Sequence, residues 1–299
     1  MVGLLRSRSI QAGSLTCALV VALGPGFLGQ QEEQRRVYVA VVDAGGRPIT
    51  DRPADAFHVW ENETARPIVS AGLADNAPSV VVVVHGAGRN DTLSMRKTLA
   101  AIIETFRRTN PETMLAIMTD VNTPRLSYVT SDARTLDEAI AHYVTSGPGL
   151  ILFEAVEEAC KVLTKRETDR RIVLAIANAT KSDPETRAAL AVGATLKRAN
   201  ASLWALDYTP DGSRVSETIR LSEEKARLFT NWTVSSGGTY DTVIGTTALP
   251  QAATRLARLI ASQYAVTYRR PAGTGQVKLR TGVSGDPGEK VLGPIWSAR

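Results

Sequence analysis

Two patterns of hydrophobic positions divide this chain of 299 residues. From Arg36 to about Gly72, short apolar segments alternate with turn residues, and residues 37–42 carry the β-branched and aromatic side chains that favour a strand. After Pro78 the apolar runs become continuous, and amphipathic stretches with helical spacing separate them. Residues 79–84 are a serine followed by five valines, which is typical of a strand buried on both faces of a parallel sheet.

The alternation of apolar runs and amphipathic stretches predicts the fold class. We predict an α/β fold: a doubly wound, mostly parallel sheet with helices on both faces, a small N-terminal β appendage and C-terminal β strands. Helices are expected near residues 91–106, 136–144, 152–165, 182–198, 216–229 and 248–262, and strands at 79–84, 114–118, 126–129, 171–176, 201–208, 264–268 and 277–281.

The first 30 residues predict export. Arg6 and Arg8 precede an apolar run at 15–28 that Pro25 interrupts, and the segment contains no acidic residue. This order is typical of a secretory signal peptide, because the run is too short and too interrupted to span a bilayer stably. We expect an extracytoplasmic protein, periplasmic or secreted, with no stable membrane span after cleavage; an uncleaved anchor is the alternative. The predicted divisions are a signal peptide at 1–30, an N-terminal β segment at 31–76, an α/β domain at 77–270 and a C-terminal β extension at 271–299.

Charge and cysteine content exclude some classes of partner and of covalent link. The formal net charge is +5, of which the signal peptide contributes two, so the mature chain carries +3. Basic pairs are scattered and no aromatic side chains are interleaved with them, so nucleic acid is not a predicted partner. Cleavage removes Cys17 and leaves Cys160 alone, which excludes an internal disulfide. Apolar neighbours at helical spacing predict that Cys160 is a core residue.

The loop that follows the valine run is the first candidate site. Ligands of open α/β sheets bind outside the carboxyl ends of the strands. This loop reads His85, Gly86, Ala87, Gly88 and Arg89. Its two glycines lack the third glycine and the ribose-binding acid of a dinucleotide fingerprint, so no cofactor is predicted.

Several motifs lie in a recognisable order along the mature chain. They are Val41-Val42-Asp43 with Gly46-Arg47-Pro48-Ile49, Phe57-His58-Val59-Trp60-Glu61-Asn62, Ile151-Leu152-Phe153-Glu154-Ala155, Gly237-Gly238-Thr239-Tyr240 and the segment 263–271. Taken together, they resemble the von Willebrand factor type A domain family, and more closely a bacterial subgroup with an N-terminal β segment. The resemblance implies a Rossmann-like fold over 77–270 and a non-catalytic, protein-binding role.

The metal site of that family is replaced here. The family holds Mg²⁺ or Mn²⁺ through an Asp-x-Ser-x-Ser loop, a threonine from a second loop and an aspartate from a third, since hard cations prefer oxygen ligands. Carried over, the first loop offers His85, Ala87 and Arg89, the second Leu150, and the third Asn178. A fixed positive charge at Arg89 would also oppose a cation. The resemblance therefore implies a degenerate metal-ion-dependent adhesion site that binds no metal.

A shifted register would place an aspartate in the metal loop. Residues 91–95, Asp-Thr-Leu-Ser-Met, look similar to the family's loop, but Asp91 lies several residues beyond the end of the strand. We interpret Asp91 instead as the cap of the following helix.

The functional prediction is an exported, non-catalytic module that binds a protein partner without a cofactor. Arg89 or His85 would engage an acidic group of that partner. The alternatives are a structural scaffold of the cell envelope and, third, an α/β-hydrolase. A hydrolase requires a Gly-x-Ser-x-Gly elbow and a late histidine, whereas the chain offers only residues 282–285, Gly-Val-Ser-Gly, and its last histidine is His142. Partner identity and oligomeric state are left open.

Overall fold

The architecture is that of a computed structural model. Predictions that fall outside its described residues include the signal peptide, Leu150 and most of the strand expected at 126–129. The structure describes residues 31–119, 127, 129–144, 152–179, 186–211 and 215–297.

A parallel sheet forms the centre of the molecule. Among the described residues it has five strands: β5 Ser79–His85, β6 Met114–Thr119, β7 Arg171–Asn178, β8 Ala201–Thr209 and β9 Tyr240–Ile244. They lie in the order β6-β5-β7-β8-β9. On β6, Leu115 also forms an isolated antiparallel bridge with Thr130.

Helices cover both faces of this sheet, as predicted. The first, second and sixth helices contribute to the apolar core on one face, and the third, fourth and fifth to the core on the other. Cys160 lies in the second core with its side chain buried, which confirms its predicted role. Among the described residues no helix is long and apolar enough to cross a membrane. The helices are α1 Thr92–Thr109, α2 Ala133–Ala141, α3 Leu152–Thr164, α4 Thr186–Ala199, α5 Val215–Ser236 and α6 Leu249–Ala261.

Strands from both ends of the sequence build a separate β layer. Two antiparallel sheets, β12-β1-β10-β4 and β11-β2-β3, share one apolar core. Strand β1 lies between β10 and β12, so the N-terminal β segment pairs directly with C-terminal strands. These strands are β1 Glu32–Val42, β2 Phe57–Glu61, β3 Thr64–Arg66, β4 Ile68–Leu73, β10 Tyr264–Pro271, β11 Leu279–Val283 and β12 Lys290–Leu292.

A buried ion-pair cluster joins the two sheets of the β layer. Glu61, at the end of β2, is 1% exposed. Its carboxylate accepts hydrogen bonds from Arg270 Nη1 at 3.0 Å and Tyr268 Oη at 2.9 Å, both on β10, and from Arg66 Nε at 3.1 Å. Burial next to this carboxylate raises the pKa of Tyr268. Two of the motifs noted in the sequence therefore meet in one network.

Candidate functional site

The candidate loop leaves β5 at the carboxyl edge of the parallel sheet. Gly86 has φ +69°, a left-handed conformation that favours glycine, and it turns the chain away from the strand. A short 3₁₀ turn at Arg89–Asp91 then leads into α1. Gly86 and Ala87 are half-buried and Gly88 is exposed, so the backbone between the strand and the turn is accessible.

Side chains from two neighbouring strands and from the loop itself hold this backbone in place. Asn178, the last residue of β7, donates through Nδ2 to the carbonyl oxygen of Gly86 at 3.0 Å. The Gly88 amide donates to Asp91 Oδ2 at 2.9 Å. Tyr208 of β8 donates through Oη to the same carboxylate oxygen at 3.0 Å. Three side-chain hydrogen bonds therefore fix the loop against the end of the sheet.

The interpretation of Asp91 as a helix cap is corrected by its contacts. Asp91 does occupy the N-cap position of α1, but its backbone is helical and its side chain makes no capping hydrogen bond. The carboxylate turns inward and is 7% exposed. The carboxylate accepts hydrogen bonds from the Gly88 amide and from the buried Tyr208 hydroxyl instead of capping the first amides of the helix.

His85 lies beneath the loop. It is the last residue of β5 and is 6% exposed. Its register partner is Ala177 on β7, which in turn pairs with Asp207 on β8. The structure therefore leaves His85 little exposed surface.

At the positions that the resemblance assigns to metal ligands, the described residues differ from the oxygen donors of the family. His85, Ala87 and Asn178 offer neither a carboxylate nor a hydroxyl oxygen, and the Asn178 amide nitrogen is directed at Gly86. In the described part of the chain, no group of three or more His, Cys, Asp or Glu side chains is placed to hold a metal ion. Leu150 lies outside the described residues.

Two further polar residues at this edge were missed from the sequence. Asp207 and Tyr208 end the apolar run of β8. Asp207 Oδ2 accepts a hydrogen bond from Tyr240 Oη at 3.3 Å, and burial together with this carboxylate raises the pKa of Tyr240. Two polar residues at the end of a buried strand were the only sign in the sequence that this edge carries functional side chains. Their hydrogen-bond partners could not be predicted, because those partners depend on which strands are neighbours in the sheet.

A serine–histidine contact lies elsewhere, in the β layer. His58 Nε2 is 2.7 Å from Ser284 Oγ, across the pairing of β2 with β11. Both residues are exposed. Ser284 belongs to the Gly-Val-Ser-Gly segment, the part of the sequence that looks most like a hydrolase elbow. The fold brings His58, a histidine early in the sequence, next to it. The pair sits on an antiparallel edge rather than on the strand-to-helix turn of a hydrolase elbow.

In comparisons with known proteins, this chain is similar only to solved structures. No protein-family model and no curated protein matches the chain. A von Willebrand factor type A structure from Catenulispora acidiphila matches with 10% identity and a TM-score of 0.47, over 89% of this chain and 74% of that one. Proximal thread matrix protein 1 from the mussel byssus, with a zinc-occupied MIDAS motif, matches with 14% identity and a TM-score of 0.46, over 67% of this chain and 49% of that one.

A mutant of the PilB minor pilin from Streptococcus sanguinis matches with 8% identity and a TM-score of 0.47, over 63% of this chain and 62% of that one. The match with the mussel protein spans about half of that protein's length. The observed architecture, a parallel sheet with helices on both faces, is consistent with the α/β fold that the sequence motifs predict.

Proposed function

We propose that this chain is an exported, non-catalytic protein-interaction module that binds its partner through the loops at the carboxyl edge of the parallel sheet, without a metal ion. The observation that carries the proposal is the fixed conformation of the first loop. Asn178, Asp91 and Tyr208 hold it, while the backbone of residues 86–88 stays accessible. A loop that is ordered before binding loses little conformational entropy on binding.

Each residue of the loop has a distinct part in the proposed contact. Gly86 and Gly88 carry no side chain, so a partner can approach the backbone closely. Arg89 supplies the positive charge that engages an acidic group of the partner, where the family would use a cation. His85 supports the loop from below, which replaces the direct contact expected from the sequence.

Quantitative crosslinking in the protein's own cells tests the loop face. We expect the Arg89→Ala variant to recover much less of the partner than the wild type does. Arg134→Ala is the matched control, because Arg134 is an exposed arginine on α2. Equal recovery from wild type, Arg89→Ala and Arg134→Ala would reject the loop face and favour the scaffold.

Calorimetric titration with Mg²⁺ and Mn²⁺ tests metal independence. We expect no saturable heat at millimolar concentrations of either ion. Stoichiometric binding that disappears when Asn178 is replaced by alanine would overturn the proposal. A double substitution His85→Asp/Ala87→Ser serves as a gain-of-ligand comparison, since it restores two oxygen donors.

The scaffold remains the second candidate because of one edge strand. Strand β4 lies at the end of its sheet, and its side chains Val69 and Leu73 are 40% and 49% exposed. Exposed apolar residues on an edge strand favour association through that edge. In this alternative, Val69→Lys would abolish assembly and Arg89→Ala would have no effect.

Two further experiments test whether the protein is exported and whether it is non-catalytic. N-terminal sequencing of the protein recovered outside the cytoplasm should begin near Gln30. A fluorophosphonate probe should leave the protein unlabelled. Labelling that is lost in Ser284→Ala and in His58→Ala would instead identify the pair as a nucleophile and base, and would overturn the non-catalytic proposal.

A further inference from the structure

An open groove of about 690 Å³ runs along the outer face of α6. Strand β9, at the edge of the parallel sheet, contributes Thr242 and Val243 to one wall. The turn after β1 contributes Arg47 and Pro48. The remaining residues lie on α6 or directly before it: Ala248, Pro250, Gln251, Ala252, Thr254, Arg255 and Arg258.

The charged residues that line this groove are all arginines. Arg255 and Arg258 are one helical turn apart and, with Gln251, form an exposed stripe at positions i, i+4 and i+7 of α6. Arg47 faces them from the turn after β1. Among the described residues that line the groove, no side chain is acidic, so the groove attracts anions.

Two of the three arginines are paired with carboxylates that are not among the described lining residues. Arg47 pairs with Asp43 at 2.8 Å, and Arg255 pairs with Asp241 on β9. The Arg47 backbone and guanidinium hydrogen bonds also lower the pKa of the Asp43 carboxyl. In the described part of the chain, no carboxylate pairs with Arg258. Arg258 therefore carries the charge that a ligand would neutralise.

We propose that this groove binds an extended, acidic peptide segment of another protein, with glutamate or aspartate side chains directed at Arg258, Arg255 and Arg47. Acidic residues at alternate positions of an extended chain are about 6–7 Å apart, close to the spacing of one helical turn. Asp241 also accepts a hydrogen bond from the Thr242 backbone amide at 3.0 Å. The Thr242 amide of the edge strand is thus already occupied.

Shape and composition favour a peptide over other anions. The apolar residues of the described lining are valine, alanine and proline, and this lining offers no aromatic side chain on which a nucleic-acid base could stack. The groove is concave, so a flat membrane surface would reach its rim rather than its floor. The chain's own first 30 residues contain no aspartate or glutamate, so they do not match its charge.

Fluorescence anisotropy with a labelled peptide of alternating glutamate and alanine tests this surface on the full chain. We expect saturable binding that weakens as NaCl rises from about 50 to 300 mM, because the pairs are exposed and screened. Arg258→Gln should weaken binding by about 2- to 5-fold, the effect of one exposed ion pair. Arg255→Gln/Arg258→Gln should weaken it further.

Arg198→Gln is the matched control, since Arg198 is also an exposed arginine in the last turn of a helix, α4. Equal weakening by Arg198→Gln and Arg258→Gln would show a non-specific charge effect and overturn the proposal. Tighter binding of a single-stranded oligonucleotide or of anionic vesicles than of the peptide would overturn the choice of ligand. The loop variant Arg89→Ala should bind the peptide normally, so this proposal and the loop-face proposal can fail independently.

Discussion

At the scale of single residues, Asp91 determines the shape of the candidate loop. Its carboxylate is buried and accepts hydrogen bonds from the Gly88 amide and from Tyr208. A buried donor that loses its acceptor cannot recover the interaction with water. Loop shape and protein stability should therefore change together when this side chain is altered.

Asp91→Ala is expected to lower the free energy of unfolding by about 1–3 kcal/mol, because the Gly88 amide and the buried Tyr208 hydroxyl both lose this acceptor. Tyr208→Phe removes one donor and should cost only about 0.5–1.5 kcal/mol. Urea unfolding of both single variants and of the double variant measures their coupling. Additive effects in the double variant would contradict a direct hydrogen bond between the two residues.

Cys160 gives a prediction for alkaline pH. Burial raises the pKa of its thiol from 9.0 to about 12. The folded state holds this proton more tightly than the unfolded state, so its contribution is intact below pH 9 and is lost as the pH rises from 9 towards 12. Urea unfolding should show a shallower decline in stability between pH 9 and 10 for Cys160→Ala than for the wild type. Parallel slopes would contradict the prediction, and so would rapid reaction of the native thiol with a disulfide reagent at pH 8.

At the scale of elements, one glycine sets the approach of α5 to the sheet. Gly238 follows α5, and an added Cβ there would lie 1.9 Å from the carbonyl oxygen of Leu203 on β8. The neighbouring Gly237 has φ +88°, a left-handed conformation that favours glycine. The structure therefore explains why both of these positions of the Gly-Gly-Thr-Tyr motif are glycine. The chain can pass between α5 and β9 only because no side chain intervenes.

Gly238→Ala is therefore expected to destabilise the protein by at least about 1–3 kcal/mol, because backbone atoms must move to admit the methyl group. Gly275→Ala is the control, since nothing lies within 4 Å of the added Cβ and the φ of Gly275 lies outside the left-handed region. The control should stay within about 0.5 kcal/mol of the wild type in thermal or urea unfolding. Equal effects of the two substitutions would refute the steric argument.

Individual strands show which parts of the fold could be predicted from the sequence. The five valines of β5 are buried on both faces, so an uninterrupted apolar run predicted that strand correctly. Strand β9 was missed, because an edge strand with the sequence Tyr-Asp-Thr-Val-Ile is only partly buried and lacks such a run. The inward turn of Asp91 could not be predicted either. It depends on Tyr208, whose position follows from the spatial order of the strands.

At the scale of the whole molecule, the buried Glu61 cluster links segments that are distant in sequence. Arg270, from the C-terminal half, donates to Glu61 and lies 3.2 Å from Glu33 on β1. The sequence showed the two motifs separately, with no sign of their contact. A buried charge is tolerated only while its partners remain, so the β layer depends on all of them together.

Glu61→Ala is expected to lower the free energy of unfolding by about 3–5 kcal/mol, because it leaves the Arg270 guanidinium buried without its main partner. Glu138→Ala is the control: Glu138 forms an exposed pair with Arg134 on α2 and should change stability by less than about 1 kcal/mol. Chemical unfolding monitored by tryptophan fluorescence compares them. A loss at Glu61 no larger than that at Glu138 would show that the pair contributes nothing beyond a surface contact.

The position of β1 has a consequence for how the chain is made. Val39 pairs with Tyr264 and Val41 with Val291, so β1 leaves the ribosome more than two hundred residues ahead of its partners. At about 5–20 residues per second, it waits roughly ten seconds or longer. During that interval an apolar strand is exposed along both edges, a state that invites aggregation. Synthesis rate and chaperone supply, rather than equilibrium stability, should then limit the yield of folded protein.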